Sequence, residues 1–223
     1  MLIMFRDRYS IKAGKRLGTS WCCLWTAGAL ASSASLAPRL LRCEHLSNPL
    51  GIDEMRPQLS WVVESDVRSQ RQTACQILVA SNKELLRKDR GDLWDSGKVA
   101  GAQTTGLVYG GKALGSRQFC FWKVKVWDKD GKASHWSEPA TWSMGLLKPE
   151  DWKAQYISFR DTTPVHRLKE PLFLPAARQY RKEFTAAREV RRATIYATAL
   201  GIYELHLNGQ RVGRDYLTPG WTD

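Results

Sequence analysis

The sequence has no long apolar run and few histidines. Its longest apolar run, from Trp21 to Leu30, covers about ten residues, whereas a helix that crosses a bilayer needs about 20. No transmembrane span is therefore expected. The four histidines have no partner one helical turn away and no cysteine or carboxylate at ligand spacing. Neither a metal site nor a cofactor is expected. The histidines stand at positions 45, 135, 166 and 206.

Long amphipathic helices are also absent from the pattern. Only Asn82 to Arg90 has a helical pattern, after a cap at Ser81 or Asn82. The sequence is instead rich in tryptophan, with ten residues, most of them in short alternating segments. Because aromatic residues favour strands, the tryptophans indicate a β-sandwich core, with carbohydrate contact as the alternative.

The chain is basic, with a formal net charge of +12. A basic balance can indicate a nucleic-acid partner or an anionic surface. Residues 1–31 contribute five basic side chains against one acidic one, and the remaining basic residues are interspersed with acidic ones. We therefore expect no nucleic-acid partner.

Residues 1–37 have the composition of a targeting segment. Basic residues between Arg6 and Arg16 precede the apolar run, and Ala29-Leu30-Ala31 fits a small-residue cleavage site. We predict a signal peptide, and therefore a secreted or periplasmic protein. A disordered or artefactual leader is the alternative.

Residues 38–147 are predicted to form one β-domain. Short alternating segments separated by Gly, Pro and Asp are typical of a sandwich or barrel. The expected strands are Gln58–Glu64, Thr73–Ala80, Leu93–Val99, Leu107–Tyr109, Phe119–Asp128 and Ala140–Met144.

A second β-domain is predicted over residues 178–223, after a junction over 148–177 that contains several prolines. Its alternating run from Leu200 ends at Asn208-Gly209. This pair is the strongest short signal of a hairpin, because both residues tolerate positive φ in a type I′ turn. A hairpin leaves edges to be paired, so we expect the sequence to be the front part of a longer protein. The other strands expected here are Gln179–Phe184 and Arg192–Leu200.

Two series of motifs run through these domains. The first is PQLSW, QTACQILVAS, LWDSGKV, FWKVKVWDKDG and HWSEPATWSMGLL; the second is YRKEF, ALG, YEL, NG, RVG and PGWT. The first series resembles the fibronectin-type-III-like module that opens bacterial α-L-rhamnosidases of glycoside hydrolase family 78. The second resembles the jelly-roll-like module that follows it in those enzymes, and it is the more specific of the two.

This resemblance implies an all-β fold: a fibronectin-III-like β-sandwich followed by a partial, truncated jelly-roll-like β-sandwich. The family pattern would have tyrosine where Cys75 and Cys120 stand. If their strands are neighbours, the two cysteines could form a disulfide; the alternative is two buried thiols, since free cysteine packs as a small apolar group. Three cysteines follow the leader, so at least one is unpaired.

Catalysis is not expected in this chain. Inverting glycosidases use two carboxyl groups about 6.5–9.5 Å apart, and the resemblance implies that these lie on an (α/α)6 barrel further along the parent chain. No catalytic residue is therefore assigned. The carboxylate pairs Asp53-Glu54, Asp128/Asp130 and Glu150-Asp151 stand beside Pro, Gly or a turn and are interpreted as turn residues.

A sugar contact is the remaining candidate site. Aromatic rings stack on a pyranose, while Asn and Arg side chains hydrogen-bond its hydroxyl groups. The candidates are Tyr203, Asn208, Arg211 and Trp221. The alternative is that these four residues set the geometry and packing of the hairpin.

The leading hypothesis is a non-catalytic N-terminal portion of an α-L-rhamnosidase-like hydrolase. It would support or present a rhamnose-containing carbohydrate to the missing C-terminal catalytic barrel. A stand-alone carbohydrate-binding or adhesive surface protein is the first alternative, and a truncated product that folds only in its first domain is the second. The DNA beyond the codon for Asp223 would discriminate between them.

Overall fold

The computed structural model describes residues 2–7, 36–159, 177–187, 189–190 and 192–220. Of residues 2–7 only the backbone is described. The chain divides into two units, which we call the sandwich unit (residues 22–151) and the second unit (residues 1–21 with 152–223). Most of the predicted leader lies outside the described residues.

Strands make up nearly all the regular structure of the described residues, together with one short helix and one 3-10 turn at Pro149–Asp151. The helix is α1 (Lys83–Arg87). The strands are β1 (Leu2–Asp7), β2 (Ala37–Cys43), β3 (Gln58–Glu64), β4 (Ala74–Ala80), β5 (Trp94–Asp95), β6 (Val99–Ala100), β7 (Leu107–Val108), β8 (Phe119–Trp127), β9 (Ala140–Ser143), β10 (Ala193–Thr198), β11 (His206–Leu207) and β12 (Gln210–Arg211).

Two antiparallel sheets form the sandwich unit. One has the order β2-β3-β7, and the other has the order β5-β4-β8-β9 with β6 also paired to β4. Because successive side chains of a strand point to opposite faces, alternate residues of β3, β4 and β8 meet in one core between the sheets. The predicted all-β fold and its leading β-sandwich are confirmed.

Three tryptophans lie at the centre of this core. Trp61, Trp122 and Trp142 are almost fully buried. The rings of Trp122 and Trp142 meet edge to face, with 6.4 Å between centroids, and Tyr109 meets Trp142 in the same way at 5.9 Å. Edge-to-face pairs add to the free energy gained by burial. The sandwich-core interpretation of the tryptophans is therefore confirmed for these three.

The three cysteines among the described residues, Cys43, Cys75 and Cys120, are free and buried. In the β4–β8 register, Cys75 lies opposite Val126. Cys120 is six residues away from Val126 along β8, which at about 3.4 Å per residue places it roughly 20 Å from Cys75. A disulfide needs Cα atoms within about 7 Å. Cys75 and Cys120 therefore lie on neighbouring strands but too far apart along them to form a disulfide. The interpretation as two buried thiols is confirmed.

Helix α1 packs on the outer face of the five-stranded sheet. Its cap is Asn82, whose side chain accepts a 2.9 Å hydrogen bond from the Leu85 amide. Leu86 is buried against Leu78 and Ala80 of β4, in a small second apolar cluster. The predicted helix is present, shorter than its sequence pattern.

Strand β2 was not predicted from the sequence. Its register against β3 shifts between Arg39 and Arg42, and Leu40 has a φ of 48°. Such a bulge breaks the alternation of apolar and polar residues that identifies a strand. Pro38 inside the segment also argues against a strand in a sequence pattern.

The chain leaves the sandwich through a hydrogen-bonded segment, which we call the exit latch (Ser116, Arg117 and residues 147–151). The Ser116 hydroxyl donates to the Asp151 carboxylate and accepts from the Leu147 amide at 2.9 Å. Arg117 donates to the Asp151 backbone carbonyl, and its guanidinium lies 3.7 Å from the carboxylate. Residues 147–151 are thereby tied to the loop that precedes β8.

The second unit contains two small antiparallel sheets, β1-β10 and β11-β12. Strand β1, which lies within the predicted leader, pairs with β10 from Leu2↔Thr198 to Asp7↔Ala193. The strand expected at Gln179–Phe184 is wrong: these residues are exposed and form no strand. Arg181 forms an ion pair with Glu183 two residues away. Alternation alone cannot make a strand where none of the described strands pairs with the segment.

Candidate functional site

The predicted hairpin is present. β11 and β12 pair as His206↔Arg211 and Leu207↔Gln210. Asn208 and Gly209 form the turn with φ values of 50° and 78°, as a type I′ turn requires. This register places the side chains of His206 and Arg211 side by side on one face.

Arg211 is the centre of this face. Its guanidinium lies over the ring of Tyr216, 3.9 Å from the centroid, and it donates a hydrogen bond to the Asp215 carbonyl. The ring of Tyr216 is 76% exposed, so the surface that does not face Arg211 is open to solvent. A rigid aromatic ring beside a planar hydrogen-bond donor is thus presented at the hairpin.

An acidic side chain completes the cluster. The Glu204 carboxylate lies 3.9 Å from Arg211 Nε and 3.4 Å from His206 Nε2. Both contacts are largely exposed, so their contribution to stability is small. Their effect is geometric, because they hold the long Arg211 side chain in one orientation beside Tyr216. We call Glu204, His206, Arg211 and Tyr216 the hairpin cluster.

The four residues predicted as a sugar site are not all brought together. Arg211 belongs to the hairpin cluster, and Asn208 lies exposed in the turn of the same hairpin. Tyr203 is half-buried, and its hydroxyl donates a 3.0 Å hydrogen bond to the Ala197 carbonyl. Trp221 lies outside the described residues.

Tyr203 instead fastens the end of the described chain. Its amide donates to the Thr218 carbonyl at 2.8 Å, and the Thr218 hydroxyl donates back to the Tyr203 carbonyl at 3.1 Å. Tyr203 therefore has a structural role, which is the alternative expected from the sequence for the four candidates.

Sequence reasoning missed Glu204, His206 and Tyr216. The first two could have been found, because an Asn-Gly turn fixes the register of its hairpin and so pairs residue 206 with residue 211. Glu204 lies two residues earlier, on the same side of the alternating run. Tyr216 reaches Arg211 through an irregular loop, and no periodic pattern indicates that contact.

Three of the carboxylates considered from the sequence accept hydrogen bonds in turns or loops of the sandwich unit. Asp128 accepts hydrogen bonds from the amides of Asp130 at 3.0 Å and Lys132 at 2.8 Å. Glu54 accepts from the Arg56 amide at 2.8 Å. Asp151 belongs to the exit latch, where the Ser116 hydroxyl lowers the pKa of its carboxyl group.

Among the described residues, no three His, Cys, Asp or Glu side chains are grouped so that they could hold a metal ion. No helix in the same part of the chain has the length and apolar character needed to cross a membrane.

Comparison with known proteins gives the same assignment for both units. Residues 38–148 match the family described as Rha78A-like, N-terminal immunoglobulin domain. Residues 188–223 match the family described as alpha-L-rhamnosidase N-terminal domain. The chain belongs to the α-L-rhamnosidase family and matches the N-terminal part of its members. The recognition made from the sequence motifs is confirmed.

Individual α-L-rhamnosidases cover most of the chain. One from Formosa agariphila is 38% identical over 189 residues, which are 83% of this chain and 20% of that protein. One from Alteromonas sp. (strain LOR) is 40% identical over 183 residues, 80% of this chain and 20% of that protein. The chain thus spans about a fifth of the length of the curated α-L-rhamnosidases that it matches.

Solved α-L-rhamnosidase structures agree. The Streptomyces avermitilis enzyme, solved in complex with L-rhamnose, matches 56% of this chain and 12% of its own with a TM-score of 0.53 and 40% identity. The native Aspergillus terreus enzyme matches 84% of this chain and 20% of its own with a TM-score of 0.57 and 25% identity.

Proposed function

We propose that this chain is the non-catalytic N-terminal portion of an α-L-rhamnosidase-like glycoside hydrolase, where it supports or presents a rhamnose-containing carbohydrate. The observation that carries the proposal is the order of the two matched segments, residues 38–148 followed by residues 188–223. The parent protein would remove terminal α-L-rhamnose with inversion, on a catalytic barrel outside these modules. The signal-like composition of residues 1–37 supports a secreted or periplasmic location.

The hairpin cluster is the proposed sugar contact. The open face of Tyr216 can stack on the apolar face of a pyranose, as aromatic rings do with flat apolar surfaces. Arg211 carries several N–H donors in a fixed plane, and Asn208 adds an exposed amide at the turn. These groups suit the ring and hydroxyls of a neutral sugar such as rhamnose.

The test combines a binding and a turnover measurement on the full chain. Calorimetric titration with L-rhamnose is set beside a hydrolysis assay on an aryl α-L-rhamnoside. The proposal expects binding without turnover. Turnover would contradict a non-catalytic role, and the absence of binding would contradict the presentation of substrate.

A pair of variants assigns the binding to the hairpin cluster. Tyr216→Ala removes the stacking ring and is expected to weaken binding about tenfold, the effect of losing roughly 1.4 kcal/mol. Tyr156→Ala removes another exposed tyrosine, 59% exposed and about 50 residues before the hairpin in the sequence. Equal affinities of the two variants would exclude Tyr216 as the contact.

The alternative function is a stand-alone carbohydrate-binding or adhesive surface protein. The exposed Tyr216 favours it as much as it favours substrate presentation. The two differ in the reading frame after the codon for Asp223, because only the first requires a barrel in the same chain.

A further inference from the structure

A second polar and aromatic surface lies on the sandwich unit. The outer face of the five-stranded sheet carries Lys125 and Trp127 of β8, with Lys98 on one side and Trp136 on the other. We call these four residues the Lys–Trp face. The face lies outside the core between the two sheets, and its Trp136 also packs against the small apolar cluster under helix α1. The hairpin cluster belongs to the second unit.

Each lysine of this face lies over an indole. Lys125 Nζ is 4.2 Å from the ring centroid of Trp136, and Lys98 Nζ is 4.7 Å from that of Trp127. Lys125 and Trp127 are two residues apart on β8, so they point to the same side about 7 Å apart. The face therefore alternates cation and ring across the sheet.

Small side chains flank the Trp127 ring. In the sheet register Trp127 lies opposite Ala74 of β4, and Ala74 lies opposite Ala100 of β6. Neither alanine reaches above the sheet as far as a lysine or an indole. A ligand that lay across these strands would meet the rings and ammonium groups before the backbone.

Neither lysine forms an ion pair with a carboxylate in the described part of the chain. The nearby Lys123 forms an ion pair with Asp89 and donates to the Leu86 carbonyl at 2.7 Å. The nearby Asp95 accepts hydrogen bonds from Gln76 at 2.8 Å and from the Gly97 amide at 2.9 Å. Asp89, which is already paired with Lys123, also feels the charge of Lys125. The charge of Lys98 is left to attract an anion from solution, and that of Lys125 is shared with a carboxylate already paired to another lysine.

From this arrangement we infer that the Lys–Trp face binds an anionic polysaccharide, through carboxylate or sulfate groups on its pyranose rings. The ligand must carry both an anion and an apolar ring face. An anion draws each ammonium group from its indole into a charge-assisted hydrogen bond. The Trp127 indole is then uncovered and stacks on the sugar ring, and this contact replaces its cation–π contact with Lys98. Trp136 keeps its contact with Lys123.

Ligands with only one of these properties fit less well. A neutral glycan would have to displace the lysines and offers them no charge in return. An inorganic anion would bind the lysine ammonium groups but would leave the indole rings exposed to water. Single-stranded nucleic acid also combines charge with rings, and the choice of a glycan over it rests on the proposed carbohydrate function.

The experiment measures binding by the full chain through tryptophan fluorescence at low salt. Two matched ligand pairs isolate the charge: oligogalacturonate against its methyl ester, and dextran sulfate against dextran. A single-stranded DNA oligonucleotide of similar charge is the third probe. Binding of oligogalacturonate would identify carboxylate as the recognised group, and binding of dextran sulfate would identify sulfate. Either result supports the inference.

We expect at least one anionic glycan to bind, with affinity at least about tenfold above its neutral counterpart. Raising the salt concentration from about 0.05 M to about 0.3 M should weaken this binding, because dissolved ions screen the charges of the exposed lysines. Binding of neither anionic glycan, equal binding of the neutral partner, or tighter binding of the DNA would each overturn the inference.

Matched double variants locate the site. Lys98→Gln/Lys125→Gln should lower the affinity about tenfold or more, the effect of losing charge-assisted hydrogen bonds. Lys98→Arg/Lys125→Arg should retain it, because guanidinium groups also stack on rings and bind anions. Lys83→Gln/Lys112→Gln removes the same charge from exposed positions elsewhere on the sandwich unit.

An equal loss in the Lys83/Lys112 variant would show a general charge effect and overturn the assignment to this face. This outcome is independent of L-rhamnose titration, which reports on the hairpin cluster. A protein that binds the anionic glycan and not L-rhamnose would keep this inference and contradict the proposed sugar contact at Tyr216.

Discussion

The indole Nε1 of Trp61 donates a 3.0 Å hydrogen bond to the side-chain Oε1 of Gln72 inside the sandwich. The amide nitrogen of Gln72 donates in turn to the carbonyls of Gly101 at 3.3 Å and Gln103 at 2.9 Å. Gln72 is only 4% exposed. One buried amide therefore satisfies the core tryptophan of β3 and joins it to the segments beside β4 and β6.

Replacing Gln72 with leucine should destabilise the sandwich by roughly 1–3 kcal/mol, because the buried Trp61 N–H loses its acceptor. Urea denaturation followed by tryptophan fluorescence measures the loss. Gln58→Leu, at an exposed position of β3, is the matched control and should change stability by less than about 0.5 kcal/mol. Equal midpoints for the two variants would refute a structural role for the Gln72 amide.

The Lys123–Asp89 pair should make stability depend on pH. The hydrogen bond from Lys123, with its positive charge, lowers the pKa of Asp89. A lowered folded-state pKa stabilises the protein above the unfolded value of about 3.9, and this stabilisation is lost as the pH falls through the folded pKa. Lys123→Met should remove this part of the acid dependence, measured as the free energy of unfolding between about pH 2.5 and 6.

Asp89→Asn serves as the companion variant for this pair. It removes the same titration and keeps the Lys123 hydrogen bond to the Leu86 carbonyl. In both variants the free energy of unfolding should therefore depend less on pH in the acid range. The two should differ in stability at neutral pH. An unchanged pH dependence in both would contradict the assignment.

The three described thiols, those of Cys43, Cys75 and Cys120, should resist alkylation while the protein is folded. Burial raises the pKa of Cys43 and of Cys120 to about 12, and it also raises that of Cys75. Since the thiolate is the reactive form, iodoacetamide at neutral pH should label these positions only after denaturation. Peptide mass spectrometry with and without urea provides the comparison, and labelling of Cys43 in native buffer would disprove the burial.

The exit latch should protect the chain after Asp151 from trypsin. Asp151→Ala removes the acceptor of the Ser116 and Lys148 hydrogen bonds. Cleavage after Lys153 should then become several-fold faster, because proteolysis follows local opening. Glu150→Ala alters an exposed neighbour and should leave the rate unchanged; a rate that rises equally in both variants would count against the latch.

The sequence predicted the fold where local pattern and tertiary structure agree. Gln58–Glu64 is a strand with the predicted limits, because it alternates and its apolar side faces the core. The Asn208-Gly209 turn was predictable for a more local reason, since positive φ is a property of those two residues. Family motifs then extended the prediction to the order of the two modules.

The failures have a common physical origin in long-range contacts. Gln179–Phe184 alternates as well as a true strand does, and nothing in its sequence shows that none of the described strands pairs with it. β2 has a neighbour, and its bulge at Leu40 hides the alternation. In the candidate site, the contact between Arg211 and Tyr216 depends on the course of a loop, which propensity does not determine.

The exit latch also determines the C-terminal limit of a fragment that contains the whole sandwich unit. The last strand of the sandwich unit, β9, ends at Ser143. A truncation guided by strands alone would discard Asp151, and Ser116 and Arg117 would lose its acceptor groups. A reading frame that stops after codon 151 retains the latch. The smallest self-contained piece of this molecule is therefore defined by a carboxylate eight residues after its final strand.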